Sequence, residues 1–406
     1  MKFRQKLVLM HRYVGLVMAG FLIITGLSGV VLVWYNELDT LIIRLHSASP
    51  QPNTRQDDHH LALSPFELRT RTDRAFPDAN VNWMMVDPPA SRDLVLFYLD
   101  AKTRSDGTVV SLPYDEVFVD RYSGEIVGQR RWGDISQGVI NLMPFLYRLH
   151  QSLVLGKLGT TLLGVISLLW LVDCFVGLYL TFPVRSRGLP SRFRQWKKAW
   201  KIRWMGGRYK MTFDLHRAGS VWAWIFLSMF ALSSIAMTLE NEVYRPVMSV
   251  FMDFQDTVPP SDRHVLPKKD TPEIGWERGF ELASGYLDDL ARDQGFMVLA
   301  RERFAYYPDQ NILKLMSRTS LDVNDTFGQT WVFIDASTGQ EAGYQLPTGA
   351  AAGDTFTVWL TSLHIARIGG LPYRVLASFI GVLLVVVTVT GVLIWWRKRQ
   401  SRGMTR

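Results

Sequence analysis

Long apolar runs alternate with long mixed stretches along this chain. Four runs reach the ~20 residues that a membrane-crossing helix needs. They extend from about Leu7 to Tyr35, Leu158 to Phe182, Val221 to Leu239 and Leu371 to Trp396. The segments between the first and second runs, and between the third and fourth, have shorter periods. Each opens on a helix signal. Ser64-Pro65-Phe66-Glu67 has the spacing of a capping box with proline at the first helical position, and Thr271-Pro272 precedes an amphipathic run to about Asp293. Strand-like stretches follow, at Val81–Val86, Asp93–Asp100 and Tyr114–Asp120, then at Phe296–Arg301, Ile312–Ser317 and Gln329–Asp335. The pattern predicts a membrane α-helical protein: a four-helix transmembrane bundle carrying two α+β domains. Its expected segments are span one (1–36), a first α+β domain (37–145), span two (146–183), a basic loop (184–212) and span three (213–240). A second α+β domain (241–358), span four (359–397) and a tail (398–406) complete it. The first run follows a basic start (Lys2, Arg4, Lys6), but it is longer than the apolar core of a signal peptide, so it is expected to stay.

Composition sharpens the picture. The chain is 48% hydrophobic and 20% charged, a combination that requires the two classes to be segregated. Its one cysteine, Cys174, excludes an internal disulfide, a CxxCH haem-attachment site and a thiolate zinc site. The net charge of +8 would suit nucleic acid, but its placement favours a lipid bilayer, and no nucleic-acid partner is expected. Segment 184–212 is rich in Arg and Lys and has no acid. So has the end of the chain after Trp396. Every Asp and Glu except Asp173 and Asp214 lies in 37–145 or 240–356. The positive-inside rule puts both termini and the basic loop in the cytoplasm and the two acidic segments outside, which in a bacterium is the periplasm beyond the inner membrane.

The sequence reads as a tandem duplication. His11-Arg12 falls on His216-Arg217 at an offset of 216 − 11 = 205, and Asn36-Glu37 falls on Asn241-Glu242 in the same register; Gly15 falls on Ser220, so the match is incomplete. VFVDRYSGEIVG (Val117–Gly128) matches VFIDASTGQEAG (Val332–Gly343) at 332 − 117 = 215, each expected to be a strand ending in a turn at Gly124 or Gly339. Leu149-His150 matches Leu363-His364 at 364 − 150 = 214, an offset shared by Gly177 and Gly391.

Histidine carries the candidate chemistry. His46, His59, His60 and His264 lie in the acidic segments and read as exposed polar residues, with His59-His60 beside Asp57-Asp58 at most a weak metal site. His11, His150, His216 and His364 each stand at the start of a span. Given the topology, His11 and His216 share the cytoplasmic face, and His150 and His364 share the periplasmic face. Two facing imidazoles in a helix bundle, with few other ligating side chains in the same layer, suit the axial ligation of b-type haem, which brings its own four equatorial nitrogens. A non-haem metal would want further acids or thiolates. Arg12, Arg217, Arg148 and Arg367 stand close enough in sequence to pair with haem propionates. Glycines at 15, 20, 26, 29, 156, 159, 164, 369 and 370 suit close packing of a ring on helix backbones, and equally of helix on helix. Pro372 and the glycine pair suggest that His364 rides on a segment kinked from span four. Asp173, the one acid well inside a span, reads either as a proton relay or cation partner, or as a structural hydrogen bond, and its counterpart at offset 214 is Val387.

These residues resemble a known family. Leu215-His216-Arg217, the Leu-His pairs before spans two and four, the ending from Thr390-Gly391 to Trp395-Trp396-Arg397 and the D…(S/T)G turns are similar to the PepSY-associated transmembrane-helix family, whose members are often called iron-regulated inner-membrane proteins. Within it the chain looks like the ferric-siderophore reductases of the FoxB type. The resemblance implies two non-covalent b-type haems with His11, His216, His150 and His364 as axial ligands. It also implies electron transfer across the membrane to a periplasmic ferric siderophore, with release of iron as Fe(II). The chain has no GxGxxG-type dinucleotide motif at a strand–helix turn, so the expected electron donor is separate: a flavin reductase, free reduced flavin or a quinol. Arg148, Trp132 and Arg367 are docking candidates for the chelate. Outer-sphere transfer needs no general acid, base or nucleophile. Three rivals stand beside this expectation. The first is a membrane-anchored PepSY-type binding or regulatory protein, which would be colourless. The second is a transporter, which would want more polar residues mid-span. The third is a haem cytochrome serving another acceptor, such as a quinone.

Overall fold

The computed structural model describes residues 3–46, 62–87, 93–102, 108–184, 189–256 and 270–403. His59, His60 and His264 lie outside them. In chain order the helices are α1 (Phe3–Leu32), α2 (Tyr35–His46), α3 (Pro65–Ala75), α4 (Leu142–Ser152), α5 (Gly156–Thr181), α6 (Leu189–Trp196), α7 (Arg208–Thr238), α8 (Arg245–Met248), α9 (Trp276–Gln294), α10 (Ala352–His364) and α11 (Gly370–Gly403). The strands are β1 (Ala79–Met85), β2 (Leu94–Ala101), β3 (Glu116–Asp120), β4 (Ile126–Arg130), β5 (Val298–Tyr307), β6 (Ile312–Thr319), β7 (Thr330–Asp335) and β8 (Glu341–Gln345). The chain divides into a helical unit (1–35, 146–251 and 359–406) and a sheet unit (36–145 and 252–358).

In the helical unit, α1, α5, α7 and α11 are long and apolar enough to cross a membrane. Each packs on two neighbours in the cyclic order α1, α5, α7, α11, so α1 faces α7 across the bundle. The middle of the bundle is apolar: Met18, Leu22, Ile166, Trp170, Ala223, Leu227, Ala231, Ile380 and Leu384 form one buried cluster. Small residues set the spacing, because a side chain at Gly26 or Gly381 would meet Val385 or Val30 on the neighbouring helix. Helix α7 starts well before the apolar run that marks span three. Its first three turns hold Lys210, Asp214 and Arg217, and they stay helical because the fully buried Asp214 is bonded by Arg203 at 2.6 Å and Arg217 at 2.8 Å.

The sheet unit differs from the expected pair of separate α+β domains. Strands from both sequence segments join in one antiparallel sheet, ordered β4-β3-β2-β1-β5-β6-β7-β8. The join is β1 against β5, with Trp83 opposite Ala305, Met84 opposite Phe304 and Met85 opposite Arg303. Pairing removes two edges that would otherwise expose unsatisfied backbone groups and apolar side chains. Met84 and Phe304 are both fully buried, and one core runs under the whole sheet from Leu68, Val95 and Val117 to Leu287, Leu315 and Ile334. The two glycine turns are built alike. Asp120 accepts from the backbone N–H of Tyr122 and Ser123, and Asp335 from those of Ser337 and Thr338, while Gly124 (φ +74°) and Gly339 (φ +76°) take the left-handed position. Ser64 makes no side-chain cap bond, so Pro65 alone marks the start of α3, and Glu67 bonds Arg71 at 2.6 Å instead.

One buried cation in this sheet gives a pH test. The Lys314 amine on β6 sits 3.2 Å over the Trp331 ring, and burial, with Arg303 adding repulsion, pulls its pKa down to about 7. An unfolded lysine titrates near 10.4, so the unfolded chain binds more protons between these values and stability rises with pH there. Thermal unfolding of the detergent-purified protein, followed by strand circular dichroism, is expected to show a midpoint that climbs from pH 6 to pH 9. Lys314→Met should melt higher at pH 6, by about 1 kcal/mol or more, and should lose most of the slope.

Candidate functional site: two histidine pairs in the helix bundle

The four span-start histidines come together two by two. The His11 and His216 ring centres are 6.0 Å apart, with planes at 50°, and those of His150 and His364 are 6.2 Å apart, at 70°. His11 is on α1 and His216 on α7, facing across the bundle. His150 lies in the last turn of α4 and His364 ends α10, so neither lies on a span itself. After α4 the chain reverses through Leu153 (φ +52°), Val154 (φ +60°) and Gly156 (φ +58°) before α5 begins. After α10 it does so through Ala366 (φ +54°), Gly369 and Gly370 before α11. A β-branched valine in the left-handed region costs about 1–3 kcal/mol, and such strain is characteristic of sites where position outweighs local preference. His150 packs back onto the far end of α1, beside Ser28 and Gly29. From His11 to Ser28 is 17 residues along α1, about 25 Å at 1.5 Å per residue, so the pairs occupy separate layers. The apolar cluster around Trp170 lies between these ends of the bundle.

Each ring is held through the same nitrogen. His11 Nδ1–H donates to both oxygens of Asp173, at 2.9 and 3.0 Å. His216 Nδ1–H donates to the Val387 carbonyl at 2.8 Å. His150 Nδ1 is 3.0 Å from the Thr25 carbonyl and 3.1 Å from Ser28 Oγ, and His364 Nδ1 is 2.6 Å from Ser233 Oγ. Ser28 and Ser233 also bond carbonyls one turn back, Ile24 and Met229. A carboxylate or carbonyl only accepts, so His11, His216 and His150 carry their proton on Nδ1 and keep a lone pair on Nε2 that is free to ligate. Such buried acceptors behind histidines are what orient metal ligands and raise their basicity. Glycines complete the seats. A side chain at Gly29 would reach within 3.0 Å of His150, at Gly391 within 3.0 Å of His216, and at Gly177 within 3.5 Å of His11. Phe230 lies edge-on to His364, with ring centres 5.3 Å apart.

The spacing fits one ion between two rings. With about 2.0–2.1 Å per metal–imidazole bond and roughly 1.1 Å from nitrogen to ring centre, trans imidazoles stand ~6.3 Å apart. Among the described residues no group of three or more His, Cys, Asp or Glu could hold a metal ion.

The whole span architecture has a counterpart among known proteins. Residues 8–398 match the family model of the PepSY-associated TM region. The chain belongs to the PepSY-associated TM family. No curated protein matches it. Four membrane-compatible helices and this family membership make it a membrane protein.

The other sequence-derived candidates fall as follows in this PepSY-associated protein. Arg12 is half-buried one residue after His11. Arg217 is bonded to Asp214 at 2.8 Å and to the Lys198 carbonyl at 3.1 Å. Arg148 lies on α4 two residues before His150, and Arg367 follows α10, its backbone N–H bonded to the Ser362 carbonyl. Trp132 belongs to the sheet unit, where its N–H donates to Asp115. Gly15 and Gly20, candidates for ring packing, meet no atom within 4 Å of where a Cβ would stand. Thr25, Ser28 and Ser233 escaped notice in the sequence, and Val387 figures there only as the counterpart of Asp173. A signal for two of them existed: 233 − 28 = 205, the register of His11 and His216.

Proposed function

We propose that this protein is a di-haem b reductase of the bacterial inner membrane. It carries electrons from the cytoplasmic side to a ferric siderophore in the periplasm and frees the iron as Fe(II). The observation that carries the proposal is the pairing of four Nδ1-anchored histidines in two layers, each at the spacing of trans imidazoles on one metal ion. Bound haem supplies one-electron chemistry, its iron alternating between Fe(III) and Fe(II).

The chain's own residues do the rest. His11 and His216 hold one haem, and His150 and His364 the other. Asp173, Val387 and Thr25 keep their rings in the ligating tautomer, and Ser28 and Ser233 help to seat His150 and His364. Arg12 and Arg217 in one layer, and Arg148 and Arg367 in the other, are the cations nearest in sequence for propionates, with Arg217 shared with Asp214. The apolar layer around Met18, Leu227 and Leu384 excludes water between the two sites. The charge pattern supports both termini and the 184–212 loop in the cytoplasm, with the sheet unit in the periplasm. A tandem duplication accounts for the mirrored strand order about β1 and β5 and for the offset of 205 that Ser28 and Ser233 share with His11 and His216. The donor is a separate cytoplasmic flavin reductase, free reduced flavin or a quinol. Iron in oxygen-rich chelates is held far less tightly as Fe(II), so reduction itself releases the metal.

A single assay tests the acceptor. The purified, haem-loaded protein is reduced anaerobically and mixed with a ferric hydroxamate in the presence of a ferrous chelator. The expected result is haem reoxidation matched by one Fe(II) trapped per electron lost. Reoxidation by a quinone but not by any ferric chelate would move the protein to the cytochrome with another acceptor.

A further inference from the structure

Of the acceptors behind the four histidines, one alone is a carboxylate. Asp173, on α5, is buried and takes the His11 Nδ1–H with both oxygens. Among the described residues no lysine or arginine pairs with it. The other three rings rest on neutral oxygens: the Val387 carbonyl, the Thr25 carbonyl with Ser28, and the Ser233 hydroxyl. The contrast is sharpest within one layer. Asp173 and Val387 stand at an offset of 387 − 173 = 214, and each supplies the Nδ1 acceptor for one ring of the His11–His216 pair. One uses its side chain and the other its backbone.

A negative charge on the far side of an imidazole makes the ligating nitrogen more basic and favours the more positive state of a bound metal. Asp173 is 8% exposed, so the effect is only weakly screened. We propose that Asp173 is a positioning residue that makes the metal site of His11 and His216 harder to reduce than that of His150 and His364. The protein is then biased to pass electrons from the His11 layer to the His150 layer, and outward under the proposed topology. The inference rests on the haem assignment above and adds a direction to it. It also separates Asp173 from the proton-relay alternative, since its part here is a fixed charge on a ligand and involves no transfer of its own proton.

The test is a spectroelectrochemical titration of the purified, haem-loaded protein and of Asp173→Asn, which keeps an acceptor oxygen and loses the charge. Two midpoints are expected in the native protein. In Asp173→Asn the lower one should rise by at least tenfold in the Fe(III)/Fe(II) equilibrium, ~59 mV for one electron, with the upper one unmoved. If Asp173→Asn fails to retain haem, His150→Ala decides: the haem it keeps should be the lower-potential one of the native pair. Unshifted midpoints in Asp173→Asn, a shift confined to the upper midpoint, or a retained high-potential haem in His150→Ala would each overturn the inference while leaving the di-haem assignment standing. A native protein with no haem overturns both.

Discussion

His11→Ala and His216→Ala are expected to lose one and the same haem, and His150→Ala and His364→Ala the other. Each single variant should keep about half of the native haem, because an axial pair with one member removed no longer holds a low-spin bis-histidine iron. The grouping follows from geometry and not from position in the chain. His11 and His150 belong to the same sequence half, yet Ser28, where His150 packs, is 17 residues along α1 from His11. His11 lies 6.0 Å from His216, and His150 lies 6.2 Å from His364. The check is a haem count with a reduced-minus-oxidised spectrum for each variant. Spectra of the remaining haem should coincide within a pair and differ between pairs, and the His11/His216 double variant should match either single one, as expected for residues acting as a unit. A common loss in His11→Ala and His150→Ala would break the pairing.

The second large effect belongs to the sheet unit. Arg130, at the end of β4, is 2% exposed, and its guanidinium bonds Glu116 at 2.6 Å, Asp39 at 2.8 and 3.0 Å and the Ile140 carbonyl at 2.9 Å. It thereby ties α2 and the turn at 139–141 to β3 and β4. Its face also covers Phe118, 5.2 Å away. Removing the cation leaves two buried carboxylates facing each other, so Arg130→Ala is expected to cost about 3–5 kcal/mol. The cost comes from the stranded acids. The triple variant Arg130→Met, Asp39→Asn, Glu116→Gln should therefore recover much of it. Chemical denaturation followed by strand circular dichroism checks both values, and a triple variant no more stable than Arg130→Ala would show that the packing of the arginine stem dominates.

Much of this fold is legible in the sequence where a single physical term decides the outcome. The four spans follow from unbroken apolar length, and six strands follow from short apolar runs between turn residues. The missed pieces are those in which several terms compete. Strands β4 and β8 are five residues each and sit at the sheet edges, where a run such as Ile126–Arg130 need not bury one face. The first turns of α7 look too polar for a span until Arg203 and Arg217 are seen to neutralise Asp214. Nothing in the alternation of β1 or β5 announces that they pair with each other, because a strand's period fixes its faces and not its neighbour. The same limit shapes the site. Topology and the repeat register suffice to pair the histidines, since only residues at one end of the bundle can meet. The Nδ1 acceptors depend on helix rotation. Ser28 and Ser233 resemble any serine in a span, Val387 acts through its backbone, and Asp173 stands out as a buried acid without showing which partner it serves.

The central claim is that the two histidine pairs hold haem, and the most direct measurement is an absorption spectrum of the detergent-purified protein with a pyridine haemochrome count per chain. A strong Soret band that sharpens on reduction, with about two b-type haems per chain, is the predicted result. A colourless protein after expression with ample haem would contradict it and leave the sheet unit, as a membrane-anchored binding module, to account for the protein's function.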